Sequence, residues 1–288
     1  MLEKFWELSG DKIKSVEKEF DFSKGSPVFT AKGKYMTRGW TEWTLGFHYG
    51  SAILNYEKTS DKNDLLTGRE GTLKKMPEHI SHTGVHDHGF NILSTYGNLL
   101  RLMNNGLLPE NEWERNYYEL GLKLSGAIQA SRWTELKPDG YIYSFNGPHS
   151  LFIDTVRSIR ILMVSHLLNH SLFGENDERI NLMERAFSHL RTTCKYSIYY
   201  GEGKDQFDMA GRTAHECIFN IKNGSFRGPG SQQGYSGRTT WMRGLAWAIL
   251  GFSEELELLD HLRAKSYPFQ EEIKDMLYNP HSPRNHNR

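Results

Sequence analysis

The sequence predicts an all-α protein. Apolar residues recur at helical rather than alternating spacing through most of the chain, and short polar breakers separate the apolar stretches. Helix pairs also recur at intervals of roughly forty residues without evident sequence identity, which suits stacked hairpins in a solenoid or a closed ring.

In chain order, Trp40 to Tyr56 reads as a helix with Gly46 and Gly50 as points of close approach. Phe90, Leu93, Tyr96, Leu99, Leu100 and Met103 fall on one broad face of a second. Similar faces run through Trp113 to Ile128, Leu151 to Leu168, Ile180 to Ile198 and Trp241 to Leu258. Asn104-Asn105-Gly106, Lys137-Pro138-Asp139-Gly140 and Gly174-Glu175-Asn176-Asp177 punctuate them. Only Gly140 to Phe145 and His215 to Ile221 alternate enough to suggest strands, expected as small hairpins decorating the helices. No Gly/Ser linker or shift of composition divides the chain, so one domain over 1–279 is expected, with 280–288 a disordered tail.

Composition excludes several classes of function. Thirty-five Lys and Arg balance thirty-five Asp and Glu among 288 residues, so no global positive field gathers nucleic acid or anionic lipid. Two cysteines, Cys194 and Cys217, are too few for a disulfide scaffold or a four-ligand zinc site and fit a reducing compartment. The first residues mix Glu3, Lys4, Glu7 and Asp11 with Phe5 and Trp6, which leaves no apolar signal-peptide core. No apolar run reaches membrane-spanning length, so a cytoplasmic protein is expected. Aromatic residues make up 12% of the chain, enough for a thick core or for a platform that stacks flat ligands.

Four constellations carry possible chemistry. His82, His86 and His88 crowd around Asp87, and the pair His82/His86 could chelate a metal if the segment were helical. Alternatively the stretch is a polar loop in which Asp87 caps the helix from Gly89 onward, or Asp87 is a catalytic or sugar-binding carboxylate. His215-Glu216 does not continue into a zinc motif, because Phe219 stands where the second histidine would be.

Asp154 lies in an apolar stretch from Leu151 to Leu162. It is either a cap, or the partner of Arg157 or Arg160, or a proton donor whose pKa is raised by apolar surroundings. The richest stretch runs from Gly224 to Trp247; its Gly-rich part, about twenty residues without hydrophobic period, is either a connector or, as such segments inside compact helical domains do, lines a site. Its glycines lack the spacing of a dinucleotide fingerprint. Arg243 and Trp247 then share a helix face, a cation beside a stacking ring that suits an anionic sugar, unless Trp247 is core and Arg243 solvated.

Together these segments resemble the unsaturated glucuronyl hydrolases of glycoside hydrolase family 88, with family 105 more distant. The resemblance covers most of the chain. It rests on Glu42-Trp43-Thr44-Leu45-Gly46-Phe47 with Tyr56-Glu57, on His86-Asp87-His88-Gly89-Phe90, on Ile153-Asp154, and on Gln233-Gly234-Tyr235-Ser236 leading to Trp241-Met242-Arg243-Gly244-Leu245-Ala246-Trp247. It implies an (α/α) six-hairpin barrel, expected here to be incomplete at its C-terminus and to leave Leu258, Leu259 and Leu262 less well covered. It also implies Asp154 as general acid/base, Asp87 as a second essential carboxylate, and Trp43, His215, Gln233, Arg243 and Trp247 as the residues that hold an unsaturated uronate.

The implied reaction is hydration of a vinyl ether. Asp154 protonates carbon 4 while water, deprotonated by the same carboxylate, adds at carbon 5, and the resulting hemiketal opens and expels the neighbouring sugar. No metal or cofactor is implied. The alternative is a relative that only binds unsaturated acidic sugars.

Overall fold

A computed structural model describes residues 2–38 and 43–262; Glu42 of the first motif and the tail at 280–288 lie outside the described residues. The described chain is mainly helical and divides into two compact units. The first comprises Met1–His82 with Asp87–Ile128, the second Thr83–His86 with Gln129–Arg288. The chain changes unit within helical or tightly bonded segments rather than in a polar linker, so composition shows no boundary.

The first unit begins with α1 (Leu2–Glu19) and a hairpin of β1 (Pro27–Ala31) and β2 (Lys34–Thr37). Then come α2 (Thr44–Thr59), α3 (Lys62–Lys75), α4 (Pro77–Ser81), α5 (His88–Ile92), α6 (Asn98–Asn104) and α7 (Glu112–Ser131). Asp61 starts α3 by accepting the Asn63 N–H at 2.9 Å. Gly46 and Gly50 act as the close-approach points the sequence suggests. A Cβ at Gly46 would stand 2.5 Å from the Asn91 Cα, and one at Gly50 would stand 2.7 Å from the Ser94 carbonyl oxygen.

The long face from Phe90 to Met103 is helical throughout but not a single α-helix, because a π-turn at Leu93–Gly97 joins α5 to α6. The extra residue shifts the register, so Leu93 is only partly buried while Phe90, Tyr96, Leu99, Leu100 and Met103 are buried. Tyr56 and Glu57, part of the first motif, act structurally: the Tyr56 hydroxyl donates to the Leu107 carbonyl at 3.1 Å, and Glu57 takes both ends of the Arg101 guanidinium at 2.7 and 2.5 Å.

The second unit opens with the hairpin β3 (Trp133–Leu136) and β4 (Asp139–Ile142). Here the expected helix from Leu151 to Leu168 is corrected. Its first residues form β5 (Ser150–Phe152), a 3₁₀ turn follows at Ile153–Ser158, and only Ile159–Leu167 is α-helical, as α8. A fully buried strand carries no alternation, so it reads in sequence like the start of a buried helix.

Next come the short pair β6 (Leu172–Phe173) and β7 (Arg179–Ile180), then α9 (Leu182–Ser197), whose N-cap Asn181 accepts from Met183 N–H at 2.9 Å and Glu184 N–H at 3.3 Å. β8 (Glu216–Phe219) lies between β5 and β9 (Phe226–Gly230) in a three-stranded antiparallel sheet, and α10 (Met242–His261) ends the described chain. One side of this sheet packs Leu151, Cys217 and Phe219 with Leu136, Tyr141, Tyr199 and Ala214 into a buried core. Contrary to expectation Leu259 is covered, at 1% exposed, whereas Leu258 and Leu262 are partly covered. Among the described residues, no helix is long and apolar enough to cross a membrane.

Candidate active site

Of the two expected strands, the one at His215 to Ile221 is not decoration: as β8, paired with β5, it places the chemistry of the second unit. Asp154 leaves the 3₁₀ turn directly after β5, and His215 stands directly before β8. Because Phe152 pairs with Glu216, and the Ile153 N–H donates to the His215 carbonyl at 3.0 Å, the two residues come together across the sheet end. His86 completes the group. Its carbonyl accepts from the Ser158 hydroxyl at 2.5 Å, while Gln129 and Arg132 bind the carbonyls of Val85 and Thr83, so the segment before it is fixed at several points. The imidazole packs against Phe145 (ring centroids 5.9 Å, stacked) and Phe152 (5.4 Å, edge-on), and its Nε2 lies 3.4 Å from the Asp154 Oδ1.

The Asp154 side chain is 14% exposed. Burial alone would push its pKa up, as the sequence suggests, but the His86 imidazole beside it, and His215 beyond, hold the carboxyl below its ordinary value. The expectation of a raised pKa is thus corrected: the imidazole of His86 at 3.4 Å, with His215 beyond, outweighs the effect of the apolar surroundings. Arg157 and Arg160, the cations nearest in sequence, bind α10, with Arg157 bidentate to Glu254 at 2.8 Å and Arg160 at 3.2 Å from Glu257.

His215 is 1% exposed. Its Nδ1 accepts the backbone N–H groups of Gln232 at 3.1 Å and Gln233 at 3.3 Å. Burial lowers its pKa, although Asp154 and Glu216 pull the other way. A neutral ring with Nδ1 used as acceptor carries its hydrogen on Nε2, and that atom has no hydrogen-bond partner among the described residues. It is a buried donor awaiting an acceptor.

The Gly-rich stretch supplies the rest. Gln233 Oε1 accepts from the Arg243 guanidinium, which lies 4.7 Å from the Trp241 ring centroid, and Trp241 in turn packs 4.1 Å from the His215 ring. Asp154, His215, Gln233 and Arg243 are therefore connected within one unit. The ring beneath Arg243 is that of Trp241, to which the sequence assigned no role. Trp247, four residues along α10, is partly buried under the Arg157 guanidinium at 5.4 Å.

The remaining candidates, Trp43 and Asp87, belong to the first unit. Trp43 precedes α2 and meets Phe47 edge-on at 5.8 Å, and Phe47 stacks on Phe90 at 5.2 Å, two ring contacts that tie it to the helix following Asp87. Asp87 is 9% exposed and makes no side-chain cap bond to α5, so the capping role is not the one it plays. The segment between α4 and α5 is not helical, which removes the helical i,i+4 chelate of His82 and His86. Instead His82 Nδ1 pairs with His88 Nε2 at 2.9 Å. His86 is the site neighbour that sequence reasoning missed as a partner of Asp154, because the contact spans 68 residues and no local spacing announces it.

No family model matches the chain. An unsaturated glucuronyl hydrolase of Formosa agariphila is 24% identical over 215 residues, which are 74% of this chain and 47% of that protein. One of Bacillus sp. strain GL1 is 27% identical over 241 residues, 78% of this chain and 54% of that protein. The chain spans about half the length of these curated relatives. A crystal structure of an unsaturated glucuronyl hydrolase specific for heparin superposes with a TM-score of 0.69 at 18% identity, covering 96% of this chain and 67% of that one. In sequence over three quarters of its length, and in fold, the chain is similar to the unsaturated glucuronyl hydrolases.

Proposed function

We propose that the chain is the pocket-bearing part of a glycoside hydrolase that removes a 4,5-unsaturated uronic acid from the non-reducing end of lyase-generated oligosaccharides. The observation that carries this is the connected set in the second unit: a mostly buried carboxylate, Asp154, set against His86 and His215, with His215 linked through Trp241 and Gln233 to the cation Arg243. Asp154 is the general acid/base that protonates carbon 4 and activates the water adding to carbon 5. Arg243 takes the uronate carboxylate as a charge-assisted pair, His215 donates through Nε2, and Gln233 fixes the guanidinium. Trp247 and Trp43 offer rings to the sugar faces, and Asp87 is the second carboxylate. The fold that goes with this reading is the (α/α) six-hairpin barrel, with 1–279 as one catalytic domain, and the compartment is the cytoplasm.

The likeness to the named hydrolases supports the substrate class. Hydration removes the conjugated double bond, so the test is the ultraviolet absorbance of unsaturated disaccharides from heparin, chondroitin, gellan and ulvan with the protein added. Loss of absorbance on at least one supports the reading. Saturable binding with unchanged absorbance throughout would instead make the chain a binder of unsaturated sugars.

A further inference from the structure

The acid that must protonate carbon 4 lies, in this structure, 3.4 Å from an imidazole that, when protonated, favours its ionised form. Where the transferable proton resides is therefore a separate question from which group delivers it. The answer rests on the functional reading above, and the geometry around Asp154 supplies it.

We propose that His86 is a positioning residue that holds, as imidazolium, the proton Asp154 delivers to the unsaturated sugar. His86 is 1% exposed, walled by Phe145 and Phe152, and locked through its own carbonyl to Ser158, so its Nε2 stays aimed at the Asp154 Oδ1 3.4 Å away. The contact is long for a hydrogen bond and has to shorten before the proton moves, as contacts of this kind do when a substrate fills the site.

The groups that face His86 sort by charge in a way that favours one mobile proton. Asp154 from the 3₁₀ turn is the anion. His189 from α9 is fully buried, and its Nδ1 accepts the Ile142 N–H at 3.1 Å, which fixes it neutral; burial, with His86 nearby, lowers its pKa to about 3. His215 ahead of β8 is also held neutral by two N–H donors on Nδ1. The remaining carboxylate is Asp87, the next residue along the chain. Two neighbouring imidazoles are thus denied a proton and the third sits against a carboxylate, so the pair His86/Asp154 carries the one proton the chemistry needs.

The steps balance. When the substrate displaces water, the Nε2–H bond of His86 breaks and an O–H bond forms on Asp154, so an ion pair becomes a neutral pair that suits the dry pocket. Asp154 then gives that proton to carbon 4. The water that adds to carbon 5 returns a proton to the Asp154 carboxylate, which restores the pair.

The test is an NMR titration of the imidazoles in the wild-type chain and in Asp154→Asn, with the His86 signal identified by its loss in His86→Gln. An opposite charge within about 4–6 Å raises a histidine by roughly one to three pH units, so the His86 midpoint should fall by at least about one unit in Asp154→Asn. In turnover, His86→Gln should lower kcat by about tenfold or more, within the span of acid–base catalysis, with KM little changed and the alkaline limb of the kcat profile moved. A His86 midpoint that does not move, or a His86→Gln protein with wild-type kcat and pH profile, overturns the proposal. A wild-type chain that hydrates no disaccharide while its His86 midpoint shifts would overturn the functional reading and leave the pair intact, so the two failures are told apart.

Discussion

Two carboxylates of the second unit lie only about a hundred residues apart in sequence and meet opposite fates. Asp154, on the 3₁₀ turn after β5, faces His86 at 3.4 Å and is held below its ordinary pKa. Glu255, in the middle of α10, is fully buried and has no side-chain hydrogen-bond partner among the described residues. Burial, reinforced by neighbouring Glu254, pushes its pKa well above the usual carboxylate range, against a smaller pull from Arg160 and Arg157. Those two guanidiniums are bound to Glu254 and Glu257. Burial is common to both acids, and the partner decides the charge. An apolar setting seen in sequence is therefore a poor guide to the protonation of an acid when the partner comes from a distant segment.

The largest effect expected from breaking this contrast is at Asp154. Asp154→Asn keeps the size and removes the group that delivers the proton, so it should fold, still bind unsaturated disaccharide, and lose turnover by at least about a hundredfold. Wild-type-like hydration by that protein would move the acid role to Asp87. Next is Arg243→Ala, which removes a charge-assisted contact worth about 1.5–3 kcal/mol and should raise KM by roughly tenfold to over a hundredfold. Untouched saturation behaviour would contradict an anionic pocket.

Glu255→Gln sharpens the other half of the contrast. An acid whose folded pKa lies above its unfolded value contributes stability that is full below the unfolded pKa and is lost as pH rises toward the folded one. The wild type therefore loses stability from about pH 4.5 upward on account of Glu255, and the glutamine variant does not. Its melting temperature should exceed the wild type's near neutrality, by about 2–4 °C for each kcal/mol recovered, with the gap closing in acid. A variant destabilised equally at both pH values would mean Glu255 makes a specific bond in the fold. Smallest of all is the effect of a chelator. Turnover should be unchanged, because the hydration needs a proton donor and a water, and loss of activity restored by zinc would contradict that.

Much of the candidate site was legible because its members carry local signals. The Gly-rich stretch without period, the Arg243/Trp247 spacing and an acid in an apolar run are all visible in one sequence, and Asp154, His215, Gln233 and Arg243 do gather in one unit. What was not legible depends on pairing between distant segments. β5 could not be separated from a helix because all three of its residues are buried. The π-turn at Leu93–Gly97 displaces only Leu93 from the buried face and leaves the other apolar positions on it, too small a change for periodicity to reveal. His86 looked like a loop histidine or a metal ligand, since nothing near it in sequence reveals Asp154. The role of Trp241 was hidden for a similar reason: it packs against His215, 26 residues away, and lies beneath Arg243 at once.

The central claim is that water adds to the double bond before the neighbouring sugar leaves. The most direct test follows, in one reaction of the wild-type chain with an unsaturated disaccharide, both the ultraviolet absorbance and the release of the reducing-end sugar. Hydration first predicts that absorbance falls no later than sugar appears, at a rate proportional to enzyme. Release of sugar while the absorbance persists, followed by a slow decay indifferent to enzyme concentration, would show direct cleavage of the glycosidic bond and contradict the account.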